Sequence, residues 1–85
     1  MTKSEIFIKI QNATADIVGL DKTEVEIDSV FRNNLSCVSL LMSELIMKFE
    51  DQFGMIIPDK EAENLSTVSS VIDYVYKRLS ENSSL

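Results

Sequence analysis

Cys37 and Ser39 stand two positions apart in the run LSCVSLLMSEL, residues 35 to 45, which puts a thiol and a hydroxyl close together in the chain at the start of an apolar helical pattern. A thiol nucleophile needs a base. The chain contains no histidine, so Cys37 lacks its usual activator, and as the sole cysteine it forms no internal disulfide. It reads as a small packed residue. The missing histidine also removes the commonest general base and metal ligand, so the chain is read as a non-enzyme with no metal site. The acidic stretch DKTEVEID, residues 21 to 28, matches a calcium loop only in its carboxylates, because Glu26 and Arg32 stand where the turn glycine and closing glutamate belong. The only glycines, Gly19 and Gly54, make no phosphate cradle. Ser66, Ser69, Ser70 and Ser80 read as solvated or capping residues. Ser39 differs, because the first amides of the helix that starts there have no intrahelical acceptor. An anion linked to its hydroxyl would meet those donors and the positive end of the helix dipole.

The elements that must position Ser39 follow from hydrophobic spacing. Ile6, Ile10, Ala13 and Ile17 recur at four, three and four, which predicts helix 1 over about 4–18, capped by Thr2 or Ser4 and closed at Gly19. From Leu20 to Ser36 no period holds. That stretch is expected to be a long loop tied to the core by Val25, Ile27, Val30, Phe31 and Leu35. Met42, Leu45, Ile46, Phe49 and Phe53 share one face with Glu44, Lys48, Asp51 and Gln52 opposite, which predicts helix 2 over about 39–53, stopped by Gly54. GMIIPDKEAEN reads as a loop pinned by Ile56 and Ile57, with a short helix 3 over about 60–64 after Pro58. Val68, Val71, Ile72, Val75 and Leu79 predict helix 4 over about 67–80, with Ser66 as its cap. Lys77 and Arg78 suit its last turns, and the tail 81–85 is expected to fray. The architecture is all-α: a single domain, 1–85, folded as a small four-helix bundle of three long helices and one short, with a long first loop.

Eight basic and fourteen acidic residues give a net charge of −6. Nucleic acid and anionic membranes would repel such a chain, whereas basic patches on proteins would attract it. No stretch has the length of a spanning helix or of a signal peptide's apolar core, so a cytoplasmic monomer is expected.

Four motifs together carry a resemblance: NLSCVSL at 34 to 40, FGMIIP at 53 to 58, PDKEAENLSTV at 58 to 68, and Ile72, Asp73, Tyr74. In type and spacing they are similar to the acyl carrier proteins, whose typical run D-L-G-x-D-S-L leads into a helix and then F-x-(apolar)-x-I-P. The alignment needs no gaps over 19–79. The resemblance implies that Ser39 bears 4′-phosphopantetheine, added from coenzyme A by a phosphopantetheinyl transferase, with an acyl cargo held as a thioester. It implies docking of Glu44, Glu50 and Asp51 on basic patches of acyl-loading and acyl-using enzymes. It also implies an acyl pocket lined by Met42, Leu45, Ile46, Phe49, Ile57, Ala62, Leu65 and Val71.

The pattern is altered around the serine. Val38 stands for the family's aspartate, Ser36 for its glycine and Leu41 for a commonly acidic residue. Valine forfeits roughly 0.5–1 kcal/mol of capping and dipole stabilisation, leaving Ser39 or Ser36 to cap. Val38, Leu41 and Met42 form an apolar rim for a partner, worth roughly 4–6 kcal/mol if fully buried, before the costs of binding. This frame fits a specialised carrier; the alternatives are a carrier-like interaction module that is never modified, and a stand-alone aminoacyl or peptidyl carrier.

Overall fold

The computed structural model describes residues 1–31 and 39–83, and among them the structure is helical with no strand. Helix α1, Lys3–Val18, starts at a capping box. Thr2 Oγ1 accepts from the Glu5 amide at 3.2 Å, and the Glu5 carboxylate accepts from the Thr2 amide at 3.0 Å. That bond to the Thr2 backbone is the main reason the Glu5 carboxyl sits below its ordinary pKa. Gly19, at φ 80°, closes the helix by donating its N–H to the Ala15 carbonyl, a conformation that penalises side chains with a Cβ.

The long loop begins with a single 3-10 turn, Lys22–Glu24, capped by Asp21. It is tied to the core by Val25 and Phe31, both buried, and also by Ser29, a polar anchor that the apolar pattern did not reveal. Ser29 Oγ accepts from the Glu26 amide at 3.0 Å. Leu35 lies outside the described residues. Ile27, expected as a tie, is instead half exposed; its contribution is its carbonyl, which accepts from the Ser69 amide at 2.9 Å.

Helix α2 spans Ser39–Phe53 and buries Leu45, Ile46, Phe49 and Phe53, with the Phe49 and Phe53 rings 6.5 Å apart. Gly54 ends it at φ 62°. The next three residues alternate between core and solvent: Met55 and Ile57 are buried at 7% and 3% exposure, and Ile56 is exposed at 72%. Ile56 is therefore not the anchor expected; Met55 takes that place.

Helix α3, Asp59–Ala62, begins and ends earlier than the expected 60–64. The Pro58 carbonyl accepts from both Glu61 and Ala62, at 3.0 and 2.9 Å, so the turn opens immediately after the proline. Helix α4 spans Val68–Ser83. Its cap is Thr67 and not Ser66: Thr67 Oγ1 accepts from the Ser70 amide at 3.1 Å and Ser70 Oγ accepts from the Thr67 amide at 3.1 Å. The first two α4 amides, Val68 and Ser69, donate to the carbonyls of Ser29 and Ile27 in the long loop. Every early donor of this helix end is thus used, and the loop is fastened by the same bonds. The helix continues through residues 81–83, expected to fray, so Lys77 and Arg78 do not occupy its last turn.

The core lies where Ile6, Ile10 and Ala13 of α1 meet the inner faces of α2 and α4 (Val68, Val71, Ile72, Val75). Salt bridges Lys3–Asp73 and Lys48–Asp16, at 3.2 and 3.1 Å, join helices at the surface, where each adds little. Among the described residues no helix is long and apolar enough to cross a membrane.

Thr14 is fully buried on α1, and among the described residues its Oγ1 has no hydrogen-bond partner. Replacing a buried unpaired hydroxyl with a methyl group of similar shape removes a desolvation penalty. Thr14→Val is expected to stabilise the fold by about 1 kcal/mol, read as a rise of about 4–8 °C in the thermal midpoint.

Candidate functional site

Ser39 is the first residue of α2, and the buried stripe on the same helix fixes which way that end of the bundle faces. At 1.5 Å per residue, Met42 lies about 4.5 Å further along the axis. There a groove of about 890 Å³ begins between α2 and the segment from Ile57 to Ser66. Of the eight pocket residues expected, Met42, Ile46, Ile57, Ala62 and Leu65 line it. Leu45, Phe49 and Val71 do not; they are fully buried in the bundle core. Val30 and Phe31 close the groove from the long loop, a contribution that sequence spacing could not show because it depends on how the loop is fastened to α4. Glu50, Asp59 and Glu63 also line the groove and give it an acidic margin.

The carboxylates of the segment serve different ends. Glu44 and Asp51 are exposed, whereas Glu50 is half-buried. The Glu50 Oε2 accepts from the Ile57 amide at 2.8 Å, and its carbonyl accepts from the Met55 amide at 3.2 Å. Glu50 therefore latches the turn after α2. Leu41 and Met42 are half-buried, with Met42 packed on the core; Val38 lies outside the described residues. The most exposed apolar residues of α2 are Leu40 at 72% and Met47 at 66%. With Glu44 and Asp51 they recur at four, three and four, a solvent-facing stripe that mixes apolar and acidic residues and so gives no simple amphipathic signal in the sequence.

Charge is concentrated around this site. Residues 44–63 carry six acids and two bases, net −4, while 1–18 and 66–83 each carry two of each sign and are neutral. Beside the groove, α3 is joined to α4 by a polar cluster. The Tyr74 hydroxyl donates to Glu61 Oε2 at 2.6 Å and accepts from the Arg78 guanidinium at 2.6 Å; Arg78 also donates to the Ile56 carbonyl at 3.2 Å. Burial, reinforced by the bond to Glu61, pushes the Tyr74 phenol above its ordinary value of 10.0, so it remains a donor throughout the neutral range. No group of three or more metal-ligating side chains occurs among the described residues.

A serine thus begins α2 one turn from a part-apolar groove with acidic residues along its margin. A profile for the family described as "Phosphopantetheine attachment site" matches residues 9–75. The chain is 49% identical over 75 residues to the acyl carrier protein of Rubrobacter xylanophilus, covering 88% of this chain and 93% of that protein. It is 40% identical over 75 residues to the acyl carrier protein of Exiguobacterium sibiricum, covering 88% and 95%. Against the acyl carrier protein of Clostridium acetobutylicum it is 40% identical over 70 residues, covering 82% and 91%. The chain belongs to the acyl carrier protein family.

Proposed function

We propose that this protein carries acyl groups as thioesters on 4′-phosphopantetheine joined to Ser39, and presents them to separate enzymes without catalysing a reaction itself. The observation that carries this reading is the place of Ser39, at the first residue of α2 and one turn from the groove. The neighbouring residues fit a tether: Leu40, Ser43 and Glu44 are exposed, leaving room for a flexible arm. During attachment the Ser39 oxygen forms a new bond to the pantetheinyl phosphorus of coenzyme A. The pyrophosphate P–O bond breaks, adenosine 3′,5′-bisphosphate leaves, and the serine proton passes to a base of the transferase. The arm supplies the thiol that bears the cargo; the chain supplies anchorage, shelter and recognition. First-turn amides of α2 would face the phosphate, and Met42, Ile46, Ile57, Ala62 and Leu65 would cover the first carbons of the acyl chain.

Glu44 and Asp51, within a segment of net −4, support attraction of basic partner surfaces, and Val38, Leu41 and Met42 support an apolar contact close to the arm. Such a carrier would act as a cytoplasmic monomer and serve a specialised set of enzymes. The replacement of the family's aspartate by Val38 favours a second reading, an unmodified module that binds a partner through the same rim. Incubation with coenzyme A and a broad-specificity transferase separates them. Wild type is expected to gain the mass of one phosphopantetheinyl group, located on Ser39 by peptide fragmentation, and Ser39→Ala none. A gain located on another residue, or none with wild type, would refute the carrier reading.

A further inference from the structure

The wall of the groove opposite α2 is fastened firmly at its two ends. At one, Ile57 is buried and held by Glu50; at the other, Leu65 is buried and the Ser66 carbonyl accepts from the Phe31 amide at 3.0 Å. Between them lies α3, four residues long and with none of them buried. Ala62 faces the groove and is half-buried, so it offers only one methyl group to the core. Its chain neighbour Glu61 faces the other way and takes the Tyr74 hydroxyl. Tyr74 is half-buried on α4 and is itself held by Arg78, whose guanidinium lies 5.6 Å from the ring and also bonds the Ile56 carbonyl. Among the described residues, the middle of the wall is held to the rest of the bundle by the packing of the Ala62 methyl group and by this polar clasp. Such a segment has a low local cost of opening.

We infer that the Glu61–Tyr74–Arg78 clasp sets the width of the groove, and so the length of acyl chain the protein shelters. This rests on the carrier reading proposed above. With the clasp closed, α3 bounds the cavity beside Ala62 and Leu65. With it broken, α3 swings from its fixed ends, the cavity widens, and the thioester is more often exposed to water. The three clasp residues touch no cargo; they act on it through the position of α3.

The test loads wild type, Tyr74→Phe and Glu61→Ala with saturated acyl-phosphopantetheine of short, medium and long chain, transferred from the corresponding acyl-coenzyme A. Cleavage by hydroxylamine then reports exposure of the thioester. Tyr74→Phe keeps the ring and loses only the hydroxyl. Glu61 is exposed, so Glu61→Ala leaves the core untouched should the Tyr74 variant fold poorly. In wild type, protection is expected to rise with chain length up to the capacity of the groove. In both variants short and medium chains should be cleaved roughly tenfold faster, the effect of one lost charge-assisted hydrogen bond on opening. The best-protected chain should also become longer. A purely structural role would lower the thermal midpoint and speed cleavage equally at every length, and that outcome would overturn the inference, as would cleavage identical to wild type. Failure of wild type to accept any acyl arm, read by mass, would instead refute the carrier reading on which the clasp depends.

Discussion

Phe49→Ala is expected to cost about 3–5 kcal/mol of folding stability, the usual loss when a fully buried aromatic is truncated and the space cannot collapse. Phe49 is fully buried in the C-terminal half of α2, beside the Phe53 ring. A chain of 85 residues has about 4–13 kcal/mol of stability in total, so this single change removes roughly a quarter of it or more. Urea unfolding followed by circular dichroism is the measurement. Phe49→Leu, which fills most of the space, should lose far less. A cost for Phe49→Ala below about 1 kcal/mol would show that α2 does not pack through this face. The functional effect follows from the structural one: α2 carries Ser39 at one end and one wall of the groove along its length, so a helix that no longer seats presents neither correctly.

The second large effect separates two neighbouring carboxylates. Glu50→Ala should destabilise by about 1–3 kcal/mol, because the half-buried Ile57 amide then loses its charged acceptor. Loosening Ile57 also loosens the wall of the groove. Asp51 is exposed, and Asp51→Ala should change stability by less than about 0.5 kcal/mol. Its effect should appear in association with a basic partner, as a slower on-rate whose deficit shrinks with added salt. Glu44→Ala should behave like Asp51→Ala. If Glu50→Ala leaves urea unfolding unchanged but slows association as the other two do, Glu50 serves docking alone and its bond to Ile57 carries no weight.

The long helices were readable because each has a complete periodic stripe and a chemically distinct end. Thr2, Gly19 and Gly54 announce boundaries through local chemistry, and Leu45, Ile46, Phe49 and Phe53 announce a buried face through spacing. The segments between helices were less readable, since there the direction of a side chain depends on a few backbone angles. Ile56 and Ile57 are the same residue type one position apart, yet one is in water and the other in the core. Thr67 displaces Ser66 as the cap of α4 because the loop residues Ile27 and Ser29 set where that helix starts. The clasp was hidden for a related reason: Glu61 and Tyr74 are thirteen residues apart and on different helices, so no local pattern pairs them. The groove is partly legible. Met42, Ile46, Ile57, Ala62 and Leu65 line it and all belong to the apolar set read from the sequence, whereas the separation of these from Leu45, Phe49 and Val71 needs the packing of three helices.

Everything functional here depends on Ser39 being an anchor for a covalent arm in the living cell. The intact mass of the protein purified from its own cells tests that most directly. The account predicts a population heavier than the bare chain by one phosphopantetheinyl group, alone or with an acyl cargo that hydroxylamine removes, and wholly absent from Ser39→Ala. A single species at the mass of the unmodified polypeptide, in cells growing normally, would contradict it.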